Sequence, residues 1–285
     1  MIVKGGYEFA YFDTMANFLA NENEISALPT AITDLLSKTN FVPATENDID
    51  AAGREVAAGN KLKLTIRSAN YDADLIAALE AMQDARTPLA MRLLPLGGYK
   101  IIDPCEDGWV KGAAASSISH DATVKKLGGK CLKIVMPSQP VTGTMATKTI
   151  ADPGNFGSAK AILLFLKSSS AEIGAGVLSL TIGDCGMSLP AINSTSWLLV
   201  RLIPEGPNDL AASANIDILY ENASAGMEGA VIYVDAIAAE MSSVTLKNVI
   251  LTKVPEFVEF GKFNAQVITG TASADTEENL ITENF

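Results

Sequence analysis

"NVILTKVPEFVEFGKFNAQVITG", residues 248–270, decides the architecture of this chain. It reads as one or two strands with a Pro-bounded turn between them. It follows an all-β region, from Cys105 to about Met241, that is already complete as a sandwich. The first segment, residues 1–104, supplies only three clear strands and makes a poor sheet alone. Returning "VTLKNVILTK" and "FVEFGKFNAQVITG" to that segment gives it about five strands and a packed helix. We therefore expect residues 1–104 and 242–285 to form one discontinuous domain, with 105–241 inserted in a surface loop. Such insertions are tolerated where the host loop ends lie close together. The fold class expected is mainly β: an α+β host built as a two-sheet sandwich with a flanking helix, plus an antiparallel β-sandwich insertion.

Within the first segment, "GYEFAYF" sets Tyr7, Phe9 and Tyr11 on one face of a strand. "PTAITDLLSKT" predicts a short helix capped by Thr30, and "TENDIDAAGREVAAGN" another, with Thr45 and Asp48 at capping-box spacing. "KLKLTIR" alternates cleanly, with Leu62, Leu64 and Ile66 toward a core. "DADLIAALEAMQDA" carries the clearest helical stripe, Leu75, Ile76, Leu79 and Met82, with Asp72 at the N-cap. "TPLAMRLLPLGGYKI" returns as strand. After Cys105 the helix signals vanish. "KCLKIVM", "AKAILLFLKSS", "GVLSLTIG", "SWLLVRLIP", "ANIDILYE" and "AVIYVDAIAAE" read as strands separated by turn residues.

Composition excludes several classes. The 285 residues are 48% hydrophobic, so sizeable cores can form. The net charge of −12 repels phosphate backbones and anionic lipid, which argues against nucleic acid and membrane partners. "MIVKGGYEFAYF" lacks a basic region followed by an apolar run, so no signal peptide is expected and synthesis is placed in a cytoplasm. The apolar run "AILLFL" at 161–166 is too short to span a bilayer. Three cysteines, Cys105, Cys131 and Cys185, have no metal-ligand spacing and read as reduced thiols.

No catalytic set emerges. The single histidine, His120, stands in "SSISHDATV", a loop or edge, with no Ser or Cys placed to use it. "LPLGGYK" and "LGGK" lack the spacing of a phosphate-cradling loop. The carboxylate pairs in "CEDG" and "TEENL" sit in no cleft pattern, as expected by chance in an acidic chain. The expectation is a protein that is not an enzyme.

Two resemblances add to this reading. "CEDGWVKG … LGGKCLKIVMPSQP … SAKAILLFLKSSS … SWLLVRLIPEG … GAVIYVDAIAAEM" resembles a jelly-roll of the carbohydrate-binding-module type over residues 105–241. The resemblance lies in an acidic-Gly-Trp opening, a Gly-Lys-x-Leu-Lys-Ile strand and a closing Tyr-Val-Asp strand. It implies a structural Ca²⁺ held by Glu106 and Asp235, brought together because first and last strands pair. It also implies a possible glycan contact. That needs exposed aromatic faces, whereas Trp197 heads an apolar run and Phe165 lies in the most apolar strand, so both read as core. The order of elements in 1–104 and 242–285 resembles a tail tube subunit of a tailed bacteriophage. That resemblance implies a virion structural protein that self-assembles into homo-oligomeric stacked rings beside other virion proteins, with the jelly-roll outward. Capsid decoration and glycan adhesion are the alternatives. Residues 22–46, with Ile25, Leu28, Leu35, Leu36, Phe41 and Val42, are the expected contact surface between subunits.

Overall fold

The computed structural model describes residues 7–20, 26–28, 30–33, 40–44, 47–49, 55–57, 60–68, 73–150, 156, 158–170, 172–192, 194–204, 214–222, 226–253, 258–260, 263–274 and 281–284. The chain is mainly β, built from antiparallel sheets. It begins with β1 (Tyr7–Thr14), α1 (Met15–Ala20), β2 (Ser26–Leu28), β3 (Thr30–Thr33) and β4 (Asn40–Ala44). Then come β5 (Asn47–Ile49), β6 (Glu55–Ala57), β7 (Asn60–Ser68), α2 (Ala73–Asp84) and β8 (Leu89–Pro95). The middle holds β9 (Tyr99–Asp103), β10 (Val110–Lys111), β11 (Ser117–Asp121), β12 (Cys131–Val135), β13 (Gly143–Ile150) and β14 (Ala161–Ser168). It continues through β15 (Leu178–Ile182), β16 (Cys185–Ser188), β17 (Leu198–Leu202), β18 (Ala214–Tyr220) and β19 (Val231–Glu240). Last come β20 (Ser243–Lys253), β21 (Val258–Phe260), β22 (Phe263–Ala274) and β23 (Ile281–Asn284).

The chain divides into two compact units, the first made of residues 1–22, 30–99 and 242–285, the second of 23–29 and 100–241. In the first, β3-β1-β8-β20-β22-β7-β4 follow one another across a sheet, with β21 on β22 and β23 on β20. The stretch 248–270 therefore adds to the sheet that starts at Tyr7. β20 serves β8 on one side and β22 and β23 on the other. A register shift between Leu246 and Val249, with Asn248 in the left-handed region (φ 54°), bends it between these partners. α2 is rich in Ala, Leu, Met and Glu, which favour helix. It ends where Arg86 turns left-handed (φ 49°) and the Thr87 N–H reaches the Met82 carbonyl at 2.9 Å. Phe9, Phe12, Leu89, Met91 and Leu93 pack this unit, and the Phe9 ring stacks on Tyr99 at 4.5 Å.

The described parts of two segments expected as helices are strands instead, and the rest of each lies outside the described residues. "PTAITDLLSKT" contributes β3, paired with β1, and "TENDIDAAGREVAAGN" contributes the β5–β6 hairpin. Both segments are too short to hold an isolated helix, and Gly53 interrupts the second. Pairing along β1 satisfies the backbone better. Described strands of 22–46, the segment expected to form a surface between subunits, pair within the chain. β3 lies on β1, β4 lies on β7, and β2 lies on β17 of the second unit, so these strands cover edges of their own chain. Residues 22–25, 29, 34–39 and 45–46 of that segment lie outside the described residues.

The second unit is an antiparallel β-sandwich of jelly-roll type. One sheet runs β10-β13-β18-β15-β16, the other β11-β12-β19-β14-β17-β2 with β9 also on β19. Alternation explains the core: Ile216, Ile218, Leu178 and Leu180 from one sheet meet Leu132, Ile134, Ile162, Leu164, Val200 and Val234 from the other. Among the described residues, no helix is long and apolar enough to cross a membrane.

Candidate functional site

The opening phrase "CEDGW" is anchored inside the sandwich. Asp103, at the end of β9, is buried and takes the Cys105 N–H at 2.7 Å and the Trp109 indole N–H at 3.0 Å on the same oxygen, Oδ1. Its other oxygen pairs with the Lys148 ammonium, which also donates to the Asp107 carbonyl at 2.8 Å. Burial works to lower the Lys148 pKa, but the hydrogen bond and charge of Asp103 prevail and raise it. Cys105 sits in the left-handed region (φ 60°), and burial first, then Asp103, raises its thiol pKa well above the usual value. Trp109 is part of the core.

Pairing of β9 with β19 brings this phrase beside the closing strand. Asp235, in β19, faces away from the sandwich core yet is buried. It stands at a bulge: Ala236 is left-handed (φ 49°), and the register with β14 shifts between Leu163 and Phe165. The loop 122–130 folds over it. The Lys126 and Leu127 N–H groups donate to Oδ2 at 2.7 and 2.9 Å, while Oδ1 is buried with no hydrogen-bond partner among the described residues. Glu106 takes the Gly129 N–H from the same loop. Gly128 is left-handed (φ 60°), and a Cβ there would strike the Glu106 carboxylate, so "LGGK" is shaped for this acid. Asp121 ties the start of the loop by accepting from the Thr123 hydroxyl at 2.7 Å and from the Thr123 and Val124 N–H groups at 2.8 and 3.0 Å. These bonds hold its pKa down at about 2. The Cys131 thiol donates to the Val124 carbonyl, and burial pushes its pKa up to about 12.

Burial raises the Asp235 pKa, backbone N–H bonds oppose the rise, and the nearby Glu106 charge adds to it. The two carboxylates named from the sequence thus share one electrostatic neighbourhood. A hard divalent cation suits them on two counts: an unpartnered buried carboxylate oxygen and like charges in proximity. Among the described residues no three His, Cys, Asp or Glu side chains cluster as metal ligands. An ion here would complete its shell with backbone carbonyls and water.

The second feature is missed by the sequence reading. Tyr233 lies between Lys133 of β12 and Lys167 of β14 in the outward register of the larger sheet, and Lys133 is followed by Ser119 of β11. Trp197, just before β17, is half-buried and outside the core. Its ring meets Tyr233 edge-on at 6.5 Å and 60°. The two rings approach across β14, the strand that carries Lys167. The Lys133 ammonium stands 5.8 Å from the Tyr233 centroid and 3.9 Å from Asp121. Trp197 is therefore not the core residue its apolar context suggests. Phe165 is buried as expected, but on the outward side of β14, with the Lys126 ammonium 5.9 Å from its ring. The signal was a lone Lys or Tyr at outward positions of "CLKIV", "FLKS" and "VIYV".

The opposite sheet presents short polar groups outward. Thr147, Asp217 and Thr181 face one another across β13, β18 and β15, with Thr149 bonded to Asn215 at 2.8 Å. His120 lies on edge strand β11, its Nε2 buried without a hydrogen-bond partner among the described residues.

No protein-family model matches the chain, and no curated protein matches it. Among solved structures it is similar to a family 11 carbohydrate-binding module from Clostridium thermocellum in complex with a β-1,3-1,4-mixed-linked tetrasaccharide. That match has 18% identity and TM-score 0.36, covering 50% of this chain and 95% of that one. It is also similar to a family 30 carbohydrate-binding module of a cellulosomal cellulase of Clostridium thermocellum. Here the identity is 11% and the TM-score 0.35, with 49% and 95% covered.

Proposed function

We propose that the second unit is a non-catalytic, carbohydrate-binding adhesion module. The observation that carries this reading is the outward pair Trp197 and Tyr233 on a sandwich sheet. Aromatic faces stack on the C–H faces of sugars, and their tilt of 60° suits a twisted chain rather than a flat crystal surface. The lysines and Ser119 in the same row supply hydrogen-bond donors to sugar hydroxyls. This reading takes the place of the phage-particle reading as first choice. The particle reading rests on element order, and the segment it assigns to subunit contacts forms strands within the chain.

We also propose a structural Ca²⁺ held by Glu106 and Asp235 with backbone carbonyls of the 122–130 loop. It would fix that loop beside the row, since Lys126 and Leu127 bond Asp235 directly. The ion's role here is structural.

Affinity electrophoresis through gels containing soluble polysaccharides tests the binding reading. Wild type should be retarded by at least one polysaccharide, and Trp197→Ala with Tyr233→Ala should migrate freely with unchanged thermal unfolding. Loss of a central aromatic anchor costs about 2 kcal/mol or more, roughly a thirtyfold drop in affinity. Retardation that survives both substitutions sinks the assignment.

A further inference from the structure

Resting on the glycan reading above, we infer that the Trp197–Tyr233 row selects anionic sugar chains, those bearing carboxylate or sulfate groups, over neutral ones. Register fixes the pattern. Lys133 and Lys167 flank Tyr233 on its two neighbouring strands. The Lys133 ammonium stands over the Tyr233 ring at 5.8 Å, and Lys167 belongs to the strand between the two rings. Tyr233 thus has a lysine in register on each of its two neighbouring strands.

Lys167 is uncommitted and Lys133 is only weakly held. Lys167 makes no ion pair or hydrogen bond with any described residue. Lys133 has one acidic neighbour, Asp121, at 3.9 Å and partly exposed to solvent. That is a weak surface pair that a ligand anion can replace. Asp121 is already held by three hydrogen bonds within its own loop, so losing Lys133 leaves it satisfied. The chain carries a net charge of −12, so two lysines beside outward aromatic rings, one unpaired and one only weakly paired to Asp121, stand out against an acidic chain.

The same chemistry bears on which anion fits. A single nucleic-acid strand also stacks on aromatic rings, but it brings a phosphate for every nucleotide. Two lysines on an acidic chain neutralise little of that charge. An anionic sugar chain gains most of its contact from ring faces and hydroxyls and needs few charge pairs.

The test is isothermal titration of the full chain with four probes: an oligogalacturonate hexamer, a chondroitin sulfate hexasaccharide, cellohexaose and a single-stranded oligothymidylate. One or both anionic sugars should bind at least about tenfold tighter than cellohexaose. Which of the two wins separates carboxylate from sulfate as the anion read. Lys133→Gln with Lys167→Gln should erase that preference, weakening the anionic sugars far more than cellohexaose and leaving the melting temperature unchanged, and added salt should weaken only the anionic ligands. Equal binding of neutral and anionic sugars, or a preference that survives the double substitution, overturns the charge selection and leaves the glycan reading standing. Binding of no sugar, or sugar binding indifferent to Trp197→Ala, overturns the glycan reading and this inference with it. Oligothymidylate binding tighter than every sugar, and lost on the same lysine substitutions, assigns the row to nucleic acid and overturns the inference.

Discussion

Two buried aspartates of the second unit are handled in opposite ways. Asp103, at the end of β9, is given a full cation by the chain, the Lys148 ammonium, together with two N–H donors. Asp235 lies on the outer side of the larger sheet and is given only backbone N–H donors, no described ammonium, and a second carboxylate, Glu106, within electrostatic reach. One acid is internally neutralised. The other is over-supplied with negative charge, and one of its oxygens is left without a partner. A buried charge costs several kcal/mol unless something compensates it. The chain compensates Asp103 by itself; Asp235 draws its compensation from solution or gives up its ionisation.

The largest effect should come from breaking the self-sufficient site. Lys148→Met leaves Asp103 buried and unpaired, so unfolding should be easier by about 3–5 kcal/mol, with the melting temperature lower by roughly 10 °C. Adding Asp103→Asn should recover much of that loss, because a neutral amide tolerates burial without an ammonium. A cost below about 1 kcal/mol for Lys148→Met would mean that the pair is as weak as a surface bridge.

A somewhat smaller effect should follow at the other acid. Ca²⁺ at about a hundred times its dissociation constant should stabilise wild type by about 2.7 kcal/mol over chelator-treated protein. Asp235→Asn should abolish that difference, and Glu106→Gln should reduce it. Lys148→Met should retain it, since its defect is elsewhere. Thermal unfolding of the four proteins with and without chelator decides the matter; identical curves for wild type remove the ion.

This contrast was half legible in the sequence. Glu106 and Asp235 could be named because they stand in the opening and closing phrases of the sandwich pattern. Lys148 could not, since nothing in "ATKTI" distinguishes a lysine turned into the sandwich from one turned out. The pairing sets Lys148 on the inward side, opposite Ile216 and between the core residues Ala146 and Ile150. Trp197 was misread for a related reason. Its neighbours Leu198 to Leu202, Arg201 among them, are buried on both faces of their strand, so periodicity carried no direction. The short strands β3, β5 and β6 were lost to helix because local pattern cannot register a partner edge far along the chain.

The smallest predicted effect sharpens the comparison from the loop that joins the two chemistries. Asp121 is solvated, and its three loop hydrogen bonds hold its pKa at about 2, below the unfolded value near 3.8. The unfolded chain therefore binds more protons between those limits, so stability rises with pH across that window. The contribution is complete above about pH 4 and is lost as pH falls through about 2. Asp121→Asn should flatten this part of the melting-temperature profile, with a modest loss at neutral pH. It should also weaken the loop that presents Lys126 and Leu127 to Asp235, so the calcium-dependent shift should shrink without vanishing. If the acid limb of the profile keeps its slope in Asp121→Asn, other carboxylates set it. If the calcium shift is also untouched, the loop is held by Asp235 and Glu106 alone.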